Sequence, residues 1–133
     1  MAMRAGVGAA LVLVAFGAAS CGGVTDPSKN TTTTLTGTLN PLENKCLPDA
    51  INMSNGGEYT VKITALQPTP TATLLVSLWQ GAGCQIPFGS NYATLNNVAL
   101  SGPIYQKGAY SISLADPGVL TVPQNFTIAV SHP

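Results

Sequence analysis

The sequence predicts an all-β protein built as a single antiparallel β-sandwich, with jelly-roll and immunoglobulin-like arrangements both open. Three observations carry this. Several short segments alternate large apolar and polar side chains with a period of two, which places every second residue on one buried face of a strand. Gly, Pro, Asn and Asp clusters supply breaks and turn signals between these segments. No segment shows capped helical spacing over ten residues or more. Roughly seven to nine strands fit between residue 35 and the C-terminus.

The chain opens with a leader. Arg4 is the one charge before Asp26, and Ala5 to Ala19 reads AGVGAALVLVAFGAA without an acid. That run suits the apolar stretch of a signal peptide and is short for a membrane-spanning helix, which needs about 20 apolar residues. It ends in Ala18-Ala19-Ser20-Cys21-Gly22-Gly23. Small residues leading to a cysteine resemble the lipobox of bacterial lipoproteins, although Ala18 stands where that family usually has Leu. The resemblance implies a signal peptide over 1–20 and lipidation of Cys21 as the first mature residue. Gly22, in place of an Asp retention signal, then favours an outer membrane where the cell has two. An ordinary cleavage site over Ala18 to Ser20 and a retained hydrophobic anchor are the competing readings. A lipid anchor gains about 0.8 kcal/mol per buried methylene, so several acyl chains hold a soluble body at a membrane.

Residues 21–34, GGVTDPSKNTTTT after the cysteine, form the expected flexible tether, with the Thr run passing toward the first strand. The domain is expected over 35–133. Leu35 to Leu39 alternates and is stopped by Asn40-Pro41, as for an edge strand. Leu42 to Gly57 carries Cys46, two acids and an Asn55-Gly56-Gly57 turn signal, and predicts no definite element. Tyr59 to Thr64 alternates, with Tyr59, Val61 and Ile63 on the buried face, and Gln67-Pro68-Thr69-Pro70 ends the run. Ala72 to Trp79 (ATLLVSLW) is apolar enough for a central strand covered on both faces. Gly81-Ala82-Gly83 turns the chain before Cys84.

Tyr92 to Leu95 and Val98 to Leu100 are short strand candidates around Asn96-Asn97, the second closed by Ser101-Gly102-Pro103. Ala109 to Leu114 and Phe126 to Val130 alternate most clearly, separated by the turn residues Asp116-Pro117-Gly118. Gly108-Ala109-Tyr110, continuing to Leu114, then a turn and a Phe-led final strand resemble the end of the bacterial pre-peptidase C-terminal (PPC) domain. Glu58 to Leu78 is similar to that family's middle, and the likeness spans most of Leu35 to Val130. It implies a sandwich of the kind that accompanies secreted proteases. The Asp-rich positions of the family's early strands are missing, which argues against a calcium role and leaves the fold inference standing.

Composition narrows the function classes. Only 8% of residues are charged, the formal net charge is zero and no basic stretch exists, so nucleic acid is excluded as a partner class. Besides Cys21, the cysteines are the pair Cys46 and Cys84, which an exported chain would join as a disulfide. That loop size corresponds to roughly 4 kcal/mol in the loop-entropy account. Two cysteines and one distant His do not make a zinc site, and no metal or cofactor is expected.

His132, the one histidine, shares parity with Phe126, Ile128 and Val130 and lacks a local acid, which argues for a strand-end role. Glu43, Asp49, Glu58 and Asp116 are expected as surface or turn acids, without a spacing that calls for glycosidase chemistry. No nucleophile elbow, phosphate loop or zinc-protease helix motif occurs. No catalytic residue is therefore expected. Trp79, Tyr92 and Tyr105 are the candidate ligand-binding residues, because sandwiches bind sugars by stacking. The competing reading makes Trp79 a cover for the disulfide. The expectation is a non-enzymatic, lipid-anchored envelope protein with a structural, adhesive or protein-interaction role. The alternative is a carbohydrate-binding module taking a polysaccharide.

Overall fold

The computed structural model describes residues 27–133. The leader expected over 1–20, Cys21 and the tether to residue 26 lie outside the described residues. After one 3-10 turn at Pro27–Lys29, the chain is strand and turn throughout. The strands are β1 (Thr31–Leu39), β2 (Asn44–Cys46), β3 (Ile51–Met53), β4 (Gly57–Gln67) and β5 (Leu74–Gln80), followed by β6 (Ile86–Ala93), β7 (Val98–Ile104), β8 (Gly108–Ala115) and β9 (Gln124–His132). They form two antiparallel sheets, β1-β9-β4-β7 and β2-β8-β5-β6, with β3 also paired to β8. The chain changes sheet at every connection except β2–β3 and the β5–β6 hairpin. This order is that of a jelly roll, which settles the arrangement left open above.

The core is made by the inward parity of both sheets. Val61 and Ile63 of β4 and Phe126, Ile128 and Val130 of β9 face Leu74, Val76 and Leu78 of β5 and Tyr110, Ile112 and Leu114 of β8. Each such side chain contributes about 1.5–3 kcal/mol when withdrawn from water. The two strands with the clearest alternation, β8 and β9, occupy the inside of their sheets, so both of their edges are paired.

Several boundaries differ from expectation for physical reasons. The Thr run is strand from Thr31, because β1 pairs with β9 without a break from Thr31↔His132 to Leu39↔Gln124. β5 starts at Leu74, since the Ala72 N–H closes a turn onto the Thr69 carbonyl at 3.2 Å. β6 extends from Ile86 to Ala93 and leaves Leu95 outside; most of this outer strand is exposed, so it carries no period-two signal. β7 passes through Gly102-Pro103 to Ile104 rather than closing there. Pro103 is tolerated because β7 is an outermost strand and proline lacks only a ladder donor. The unassigned stretch after Leu42 holds two three-residue strands, too short to show a pattern.

Candidate functional site

The outward parity of the sheet β2-β8-β5-β6 gathers most of the candidate residues. Register defines three rows across it. The middle row is Ser90, Ser77, Ser113 and Cys46, one residue from each strand. On one side lie Tyr92, Leu75, Ala115 and Asn44, and on the other Pro87, Trp79 and Ser111. None of these side chains is charged.

Hydrogen bonds bind the rows together. Ser90 Oγ donates to Ser77 Oγ at 2.9 Å, and the Trp79 indole N–H donates to Ser113 Oγ at 2.8 Å. The bond to Ser113 holds the half-buried indole diagonally over β8, beside the row that contains Cys46. Ser111 is fully buried although it points outward, because the turn after β5 folds over it. Its hydroxyl donates to the Gly81 carbonyl at 2.8 Å and accepts the Cys84 N–H at 2.8 Å. Gly81 and Cys84 both take left-handed φ values, 91° and 56°, which turn the chain back toward the sheet. Cys84 is there joined to Cys46 by the expected disulfide, with Cα atoms 6.1 Å apart. The bridge straps the outermost β2 to the β5–β6 turn across β8. Such a bridge belongs to an oxidising, exported environment.

Trp79 and Tyr92 thus share one face, about 13 Å apart along the strands at 3.3–3.4 Å per residue. Tyr92 is 59% exposed. Tyr105 stands apart in the β7–β8 loop at the end of the sandwich, 84% exposed. Among the described residues, the aromatic ring pairs involve none of these three. Phe88 sits edge-on to Tyr59 and to Tyr110, with centroids 6.1 and 5.8 Å apart, bridging the two sheets. Sequence reasoning missed Phe88, whose strand is mostly exposed and which lies at the register break of β6. Burial raises both tyrosine hydroxyls above their ordinary pKa, and the Tyr110 hydroxyl donates to the Gln106 carbonyl.

The remaining titratable candidates have structural partners. His132 is buried at the end of β9, on the parity expected, with Nε2 2.9 Å from Thr33 Oγ1. Glu43 accepts from the Asn40 backbone and side-chain amides and lies 4.0 Å from Lys45. Asp49 and Glu58 are exposed. Asp116, expected in a turn, has a structural role there. Its carboxylate is buried and accepts the backbone N–H groups of Leu42, Gly118, Val119 and Leu120. Burial alone would raise its pKa, but the four backbone donors outweigh that and hold it below the ordinary 3.8. No group of three His, Cys, Asp or Glu side chains that could hold a metal ion occurs among the described residues.

No protein-family model matches the sequence, and no curated protein matches it. Among solved structures the chain is similar to a subunit described under Bacillus endospore appendages that form disulfide-linked pili. The two are 11% identical with a TM-score of 0.38, over 85% of this chain and 95% of that one.

Proposed function

We propose that this chain is a non-catalytic, exported protein of the cell envelope, lipid-anchored at Cys21, whose PPC-like sandwich has a structural or adhesive role. The observation that carries the reading is the Cys46–Cys84 strap, which fits a chain that has left the reducing cytoplasm. It accords with the leader ahead of Cys21. The structural engagement of Asp116, Glu43 and His132 accords with a sandwich used for its surface. The test is fractionation of cells carrying Cys21→Ser. The variant should leave the membrane fraction for the soluble envelope or the medium, and retention at the membrane would sink the anchor.

A second reading is favoured by one arrangement, the uncharged face on which Trp79 and Tyr92 flank a row of serines. A neutral polysaccharide fits it, with sugar rings stacking on the two aromatics and hydroxyls meeting Ser90. Retention on a glycan panel should then fall at least tenfold in Trp79→Ala and Tyr92→Ala. Tyr105→Ala, off that face, should keep it. Equal retention in all three variants would remove this reading.

A further inference from the structure

Open sheet edges invite pairing with another chain, and proteins blunt them with proline, charge, bulges or very short strands. Three of the four edges in this sandwich are blunted. β6 contains Pro87 and a register break opposite Leu78 and Trp79, and its Tyr92 N–H is taken by Asn91 Oδ1 at 2.9 Å. β7 contains Pro103 and faces a break between Val61 and Lys62, and its Ala99 carbonyl accepts from Asn91 Nδ2 at 3.0 Å. The edge beside β8 is split into β2 and β3 of three residues each, with Lys45 in β2.

The residues of β1 itself supply none of these devices, and the charge that reaches its edge, the Lys45 ammonium of β2, lies at Thr38 near its C-terminal end. The nine residues of β1, TTTTLTGTL, pair with β9 without a register shift and include neither charge nor proline. In an antiparallel strand, alternate residues turn both N–H and C=O toward one neighbour and then away from it. Thr38 fixes the phase, because its carbonyl accepts from Lys45 Nζ at 2.7 Å and so faces away from β9. Thr32, Thr34 and Thr36 share that phase and present their N–H and C=O groups on the outer edge. No strand covers this edge among the described residues.

We propose that the β1 edge is a strand-pairing surface, and that its occupant is β1 of a second copy of this chain, antiparallel about a two-fold axis at Thr34. The arrangement is self-complementary. Thr34 meets Thr34 of the second copy, and Thr32 meets its Thr36, so the outward donors and acceptors fall opposite one another. The paired segment carries no charge, which removes the repulsion that usually blocks self-pairing, and cross-strand threonine pairs each add roughly 0.2–1 kcal/mol. Lys45 ends the pairing at Thr38, whose carbonyl is already occupied. The two four-stranded sheets become one of eight. A single strand pair buries less than the roughly 1,200 Å² of a stable interface, so the dimer is weak and concentration-dependent. It does not depend on the lipid anchor.

Sedimentation equilibrium of the native, disulfide-bonded protein tests this at concentrations up to about 1 mM, the weak end of the affinity scale. The mass should rise from one copy toward two. Thr34→Lys alters an exposed side chain and should restore one copy at an unchanged melting temperature. Thr34→Cys should lock dimers covalently on oxidation beyond the wild-type background, whereas Thr38→Cys should not, since it falls outside the symmetric pair. If Thr34→Lys fails to fold, the contrast between the two cysteine variants decides. A monomer at every concentration, a dimer indifferent to Thr34→Lys, or equal crosslinking at both positions overturns the proposal.

Discussion

Asp116 ties together the two loops that connect the sheets at one end of the sandwich. Its carboxylate accepts from Leu42, which lies in the β1–β2 turn, and from three successive amides of its own loop. Leu42 sits at a left-handed φ of 60°, costly for a side chain of its kind, and the carboxylate holds its N–H in place. Asp116→Ala should therefore cost about 2–3 kcal/mol in urea denaturation, since buried amides lose a charged acceptor. The pH dependence follows from the depressed pKa. The unfolded chain takes up the proton first, so this stability is present above the ordinary Asp value and is lost as pH falls through the folded value. Wild type should weaken below about pH 4, and Asp116→Asn should flatten that slope. The Asp-Pro-Gly signal was legible as a turn. The burial of its carboxylate was not, because the deciding partner Leu42 lies 74 residues away.

At the scale of elements, legibility followed coverage. β4 and β9 each present one face to the core, and their alternation reads directly from Tyr59-Val61-Ile63 and Phe126-Ile128-Val130. β6 is an outer strand whose partners on the open side are solvent, so Ile86, Phe88 and Tyr92 stay exposed without alternation. β2 and β3 are too short for a period to appear. β1 shows a further dependence invisible in one dimension. Gly37 stands opposite Phe126, whose ring would lie 2.8 Å from an added Cβ. Gly37→Val should destabilise the fold by about 1–3 kcal/mol through overpacking, despite its better strand propensity. Thermal unfolding of the variant checks the sign, and a rise in melting temperature would contradict the packing.

For the whole molecule, the sheets bury one shared core while the disulfide fastens the weakest edge, the three-residue β2, across β8 to the β5–β6 turn. The pairing of Cys46 with Cys84 was legible from compartment and parity of the cysteine count, whereas its position over Ser111 and beside Trp79 required the register of three strands. The double change Cys46→Ala with Cys84→Ala should lower unfolding free energy by about 2–4 kcal/mol while leaving the sandwich folded. An exported, anchored and strapped sandwich is tested by the intact mass of the native protein from its membrane fraction, with thiol alkylation before and after reduction. The expected mass is that of residues 21–133 plus acyl chains, with two additional alkylated thiols after reduction. A chain without acyl groups, or Cys46 and Cys84 alkylated before reduction, would contradict it.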